Sequence, residues 1–395
     1  MQTETEEIIE ELTEKAEGGG EDHAGTAKRY HMARLVVLAL LVLFVILTLI
    51  LGRGELKAEN FRYFARYFRI NPFRSSSVYF GIDYTGNSDT RFAMYKEDLL
   101  VFSDGEMTLY NLSGKKLISS SLTSSDSFDA DGRYLAIYRR GGYIARLYNS
   151  FSEIGEIQTD HPITDISTSQ GGGFAVTASD AGGDEVTVYD KSLDAVYTCA
   201  PSGRQVLFAA LSPDGKALGI FSEGVEDGEI FSEILIKSTL DDKTLYSEKI
   251  YGEMPLGIFF CDGGGLFSLT DKKLRAIGSG FGGEKEISFS GDVVFAGCAG
   301  DDFIVCERGK YSSELNVRRI SDAGKLRAEY TVPGEVYRMT AGKERIYFLS
   351  SDRIYVCGDG VSSVAVQSGA ADLFELSDGK VLLCYSYGTA LADAG

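Results

Sequence analysis

The sequence reads as all-β: a β-propeller of eight, alternatively seven, four-stranded blades, preceded by a single transmembrane α-helix. Three observations predict this. An unbroken apolar run of 17 residues stands near the N-terminus, from Leu35 to Leu51. From residue 78 onward the helical period is absent, and short apolar segments alternate with turns built on Gly, Asp, Asn and Ser. Those segments come in pairs that recur at about 35–48 residues, the interval of a propeller blade.

Residues 1–34 form an acidic leader, with nine acidic and four basic groups. Thr3 and Glu6 have the spacing of a helix capping box, and Ile8, Ile9 and Leu12 a narrow apolar stripe, before GGGEDHAG dissolves into linker. The leader is expected to be cytoplasmic and disordered.

The segment 35–52 is expected to span the bilayer. In LVVLALLVLFVILTLIL only Ala39 and Thr48 are not Leu, Val, Ile or Phe, and such residues contribute roughly −7 kcal/mol of insertion free energy together. At about 1.5 Å per residue the run covers roughly 26 Å, slightly short of the hydrocarbon core, so Arg34 and Arg53 are placed to snorkel from its two ends. A secretory signal would have a shorter apolar core behind a short basic start, so an uncleaved anchor is expected. Lys28, Arg29 and Arg34 before the helix favour a cytoplasmic N-terminus and an extracellular propeller, in a single-pass protein of the cell membrane.

Residues 53–74 form a basic, aromatic stem with six basic and two acidic groups. Phe61, Phe64 and Phe68 fall at helical spacing while Arg62, Arg66 and Arg69 share another side. Such a helix fits the lipid interface, rings at the headgroup level and arginines on phosphates, or packs against the first blade. Pro72 ends it.

The domain 75–395 carries 47 acidic against 29 basic residues. A surface of that sign is not built to neutralise phosphates, so nucleic acid is excluded as a partner. Eight apolar hairpins follow one another: FAMYKEDLLVF from Phe92, FDADGRYLAIY from Phe128, ITDISTSQGGGFAVTA from Ile163, VLFAALSPDGKALGIF from Val206, LGIFFCDGGGLFSL from Leu256, VVFAGCAGDDFIVC from Val293, VYRMTAGKERIYFL from Val336 and LFELSDGKVLLC from Leu373. Asp-Gly suits their tight turns because Gly accepts positive φ and Asp bonds its own backbone. Continuous apolar character in both strands is expected of strands buried on both faces between neighbouring blades. Third segments such as MTLYNLSG, EVTVYDKS and ELNVRRIS are expected to be half-exposed.

The string LSPDGKAL, with Ser212, Pro213, Asp214, Gly215 and Lys216, resembles the repeat of TolB-type and WD40-like propellers, and SFDADGRYL and LSDGKVL are degenerate versions of it. By its layout of anchor, aromatic-basic stem and propeller, the chain also resembles an uncharacterised bacterial family of membrane-anchored propellers of unknown function. Neither resemblance implies a ligand. The absence of Trp runs against WD40 repeats and quinoprotein dehydrogenases in particular.

Only ten residues follow the last hairpin, too few for two outer strands, while SVYFGIDY from Ser77 precedes the first repeat without a hairpin partner. The N-terminal strand is therefore expected to complete the last blade, pairing Val78–Tyr84 in the sheet of Lys380–Tyr385.

Chemistry is sparse. His161 is the one histidine after the anchor, which excludes a His-ligated metal cluster, and nothing resembles a G-x-S-x-G elbow. Gly278, Gly280 and Gly283 mimic a dinucleotide fingerprint, but EKEISFS after them reads as strand and supplies no helix N-terminus. Asp129, Asp131 and Gly132 evoke a calcium loop without its downstream Glu, and a hairpin turn explains them better. Six cysteines show no C-x-x-C pair; the sequence leaves open whether they pair in an oxidising exterior or pack as small hydrophobes. No cofactor and no metal are expected.

Two function classes remain. One is a non-catalytic binding or scaffold module whose loop-rich faces meet a protein or glycan at the cell surface, with the lipid bilayer as a further partner. The alternative is a surface hydrolase using carboxylates in the propeller funnel, which two converging carboxylates of raised pKa would mark.

Overall fold

The computed structural model describes residues 32–44, 81–87, 89–123, 126–149, 152–376 and 379–394. The chain divides into two units, Met1–Ile70 and Asn71–Gly395. In the first, residues 32–44 form an α-helix on which Leu35, Leu38, Leu41 and Phe44 are all exposed. Among the described residues no helix is long and apolar enough to cross a membrane. The expected span over 35–52 has only 35–44 in a described helix. Of the interface residues, Arg34 is exposed on that helix, whereas Arg53, Phe61, Arg62, Phe64, Arg66, Phe68 and Arg69 lie outside the described residues.

The second unit is an eight-bladed β-propeller. Seven sheets have four strands and the last has three, each a meander in which sequence neighbours pair antiparallel. All eight hairpins read from the sequence are the first two strands of a blade. Blade 4, for example, runs through Arg204–Leu211, Ala217–Glu226, Glu229–Ser238 and Thr244–Tyr251.

The ring follows from where the core lies. Hydrophobic residues gather into clusters between consecutive blades rather than within one sheet. Phe221, Ile234 and Ile236 of blade 4 meet Ile258, Leu266 and Ile277 of blade 5, and Phe267 and Leu274 of blade 5 meet Phe303 and Val305 of blade 6. Strand alternation makes this possible. In Lys380–Tyr385, Val381, Leu383 and Tyr385 pack on blade 7 while Leu382 and Cys384 pack on blade 1. An apolar run buried on both faces is thus what a blade requires.

Third strands differ among blades: Lys273–Ile277 buries its last four residues, whereas Leu315–Ile320 alternates buried and half-buried positions and Gly388–Asp393 is mostly half-buried. Where neighbouring blades approach closely they cover the third strand on both faces, as at Lys273–Ile277.

Closure occurs in the last blade, as expected. Its three strands are Asp372–Glu375, Lys380–Tyr385 and Gly388–Asp393. Asp83 bridges Gly388, so the N-terminal segment joins the sheet of Lys380–Tyr385 on the far side of its third strand. The Ile82 carbonyl accepts the Thr389 N–H at 3.0 Å, and Ile82 enters the cluster of Phe92, Leu99, Val101, Leu382 and Cys384 that joins blades 8 and 1. Residues 78–80 lie outside the described residues.

The repeat motif works as a turn. Ser212 donates its hydroxyl to Asp214 at 2.8 Å, Asp214 accepts the Lys216 N–H at 3.1 Å, and Gly215 takes the left-handed φ of 74° that closes the hairpin. Cys261, at the end of blade 5's innermost strand, is disulfide-bonded to Cys298 of blade 6's innermost strand. Cys199, Cys306, Cys357 and Cys384 are free thiols.

Candidate functional site

The innermost strands of blades 1 to 5 surround a cavity of about 440 Å³ on the propeller axis. Its apolar wall is Phe208, Leu256, Ile258 and Phe259, with Phe128 and Ile166 on the adjoining blades. Gly257 keeps that wall tight: a Cβ there would press on the Phe259 ring.

Charge is confined to the other wall. Near the start of the innermost strands, Arg91 is held by a hydrogen bond from its Nη2 to the Asp126 carbonyl oxygen at 3.0 Å and rests over the Phe102 and Phe128 rings at 5.6 and 5.5 Å. Tyr138 donates its hydroxyl to Asp165 at 2.6 Å, and Arg140 stands 4.0 Å from the same carboxylate. Burial and that carboxylate push the Tyr138 hydroxyl up.

At the far end, Asp129 accepts backbone N–H groups from Thr168 at 2.6 Å and Asp131 at 3.1 Å. Burial and the neighbouring Asp131 nonetheless raise its carboxyl to about 6. Asp131 opens on the cavity and is raised by burial as well. Asp126, at the rim, would be raised by burial, but the hydrogen bonds of Thr123 and Arg139 hold it below the usual range.

A second polar cluster lies between the outer strands of blades 4 and 5. Carboxylate oxygens of Glu248, Glu284 and Glu286 fall within 4.8 Å of one another, the one group of three that could hold a metal among the described residues. The buried Arg275 guanidinium already serves it. Arg275 reaches Glu253 at 2.8 and 3.1 Å, Glu286 at 3.0 Å and Glu248 at 3.5 Å. Tyr246 donates to Glu248 and Glu284. Burial, and then the hydrogen bond with Glu284, raise Glu248 to about 7.

The remaining sequence signals take structural places. His161 Nδ1 pairs with Asp180 at 3.1 Å, both side chains partly exposed. Gly278–Gly283 form a turn leading into the strand Glu284–Ser288, and Asp129–Gly132 a hairpin turn. Arg91, Tyr138, Arg140 and Asp165 escaped sequence reading. No local pattern marks them, because the packing face of each strand was legible and the order of strands around the cavity was not.

Comparison with solved structures supports the fold. The propeller is similar to a dihydro-heme d1 dehydrogenase, NirN, solved with DHE, at TM-score 0.54 and 14% identity over 87% of this chain and 83% of that one. It is similar to the C-terminal WD40 domain of Sif2 at TM-score 0.53 and 16% identity over 80% and 98%. BamB from Moraxella catarrhalis aligns at TM-score 0.47 and 10% identity over 79% and 99%. The chain matches no curated protein. A sequence profile of a family of unknown function matches residues 69–360.

Proposed function

We propose, from the premise that this chain belongs to the family of unknown function DUF5711, that it is a membrane-tethered, non-catalytic binding or scaffold module with its propeller at the outer face of the cell membrane. The state of the channel carboxylates carries the reading. Asp126 and Asp165 accept hydrogen bonds from side chains of their own scaffold and Asp129 from backbone N–H groups, which supports contact; Asp129 and Asp131, both raised, are the pair that the alternative reading, a surface hydrolase, would use. Asp129 keeps acceptor sites beyond its two N–H bonds and faces the cavity together with Asp131.

The tether rests on the run Leu35–Leu51 and on the exposed apolar side chains of the helix over 32–44. The outer-face placement draws on the basic cluster before that helix and on the Cys261–Cys298 disulfide, which suits an oxidising compartment.

Protease added outside intact cells is expected to destroy the domain after Arg53 and spare the leader; a protected propeller overturns the outer-face placement. Capture with the full-length protein from membranes is expected to return a protein or glycan partner. Turnover of a chromogenic glycoside panel, abolished by Asp131→Asn, would instead establish the hydrolase.

A further inference from the structure

We propose that the axial cavity is a binding site for a short zwitterionic peptide with apolar side chains, its C-terminal carboxylate at Arg91 and Arg140 and its N-terminal ammonium at Asp129 and Asp131. This rests on the binding-module reading and names the ligand class.

The cavity is polarised along the axis. Among its described lining residues the only cations are Arg91 and Arg140. Both lie at the end where strands Arg91–Tyr95 and Ile163–Thr168 begin, the latter fixed by the Gly141 N–H donating to the Ile163 carbonyl at 2.7 Å. Asp129 and Asp131 lie at the opposite end, fixed by the Thr168 N–H on Asp129 and by Gln170 Nε2 on the Asp131 carbonyl at 3.2 Å. Asp165, the remaining carboxylate, is occupied by Tyr138 and stands beside Arg140. One end therefore carries a net positive charge and the other a negative one.

Their separation sets the ligand's length. Arg140 sits beside Asp165 and Asp129 beside Thr168, three residues apart on one strand, which is about 10 Å. An extended chain of three residues spans about the same distance. A guanidinium fork suits a terminal carboxylate, and a carboxylate pair suits an ammonium. Between the ends, Phe208, Leu256, Ile258 and Phe259 offer side chains an apolar wall, in a volume within the usual range for small ligands of about 300–1,000 Å³.

The probe is the tripeptide Leu-Phe-Leu with free termini, titrated calorimetrically into the full-length protein in detergent. Saturable binding with one peptide per chain is expected. N-acetylation and C-amidation are each expected to weaken it about tenfold or more, the loss of one charged pairing. Arg140→Gln should weaken the free peptide similarly and leave the amidated peptide unaffected; Asp131→Asn should do the same for the acetylated peptide. Arg140 is largely exposed, so Arg140→Gln should fold, and a matching melting curve verifies it. No binding overturns the proposal. So does a loss that ignores which terminus is blocked. If the peptide fails while a macromolecular partner is still captured by both variants, the axial site falls and the binding-module reading stands.

Discussion

Ile82 and Thr389 exchange two hydrogen bonds across 307 positions of sequence: the Ile82 N–H donates to Thr389 Oγ1 at 3.0 Å, and the Thr389 N–H donates to the Ile82 carbonyl at 3.0 Å. Tyr84 adds its hydroxyl to the Tyr385 carbonyl at 2.6 Å. A ring of sheets closed in this way presents no open edge between its last and first blades. Ile82 is fully buried there, so Ile82→Ala is expected to cost about 2–5 kcal/mol, and deleting 75–86 to destabilise the whole domain. Deleting 1–27 should leave the denaturant midpoint alone. Equal midpoints for wild type and Ile82→Ala would show that the closing segment contributes nothing.

Arg275 is the keystone of the contact between blades 4 and 5, almost wholly buried among Glu248, Glu253 and Glu286. Replacing it with Met leaves those carboxylates without their counter-charge. A loss of about 3–5 kcal/mol is expected from equilibrium unfolding. A neutral result would mean that solvent already screens the cluster.

Glu248 supplies a pH signature. Its carboxyl rises from 4.5 to about 7 in the folded protein, so between those values the native state holds a proton that the unfolded chain releases. The resulting stabilisation is complete below the unfolded value and disappears as pH climbs through the folded one. Glu248→Gln, compared with wild type across that window, should remove this part of the slope. Parallel stability profiles would contradict the assignment.

The Cys261–Cys298 disulfide closes a loop with a sequence separation of 37. On the chain-entropy account it stabilises by about 4 kcal/mol, so dithiothreitol or Cys261→Ser should lower the unfolding midpoint accordingly. Alkylation of the unreduced, denatured protein should label the four free thiols, Cys199, Cys306, Cys357 and Cys384. Six labelled thiols in protein taken directly from membranes would show that the bond does not form in the cell.

Leu43 tests the tether. Arg at that position should weaken insertion by about 3 kcal/mol, leaving membrane association intact with one substitution and lost with three. Release after a single Leu43→Arg change, read by carbonate extraction, would mean a smaller margin than the run Leu35–Leu51 implies.

The sequence by itself determined the blade. Paired apolar strands, an Asp-Gly or Gly-Gly turn between them and a fixed interval specify a four-stranded meander, because alternation and turn chemistry act within a few residues of one another. It also specified that the N-terminal segment belongs to the last blade, through the count of strands left over. Only the tertiary structure decided what depends on radial order and axial level. It set how far each third strand is covered, the bridge on Gly388 within the last blade, and the choice of Cys261 and Cys298 from six cysteines. It also brought Arg91, Arg140, Asp129 and Asp131 from two blades to opposite ends of one cavity. Those relations depend on how wedges stack around an axis, and no local pattern records the angle at which one blade meets the next.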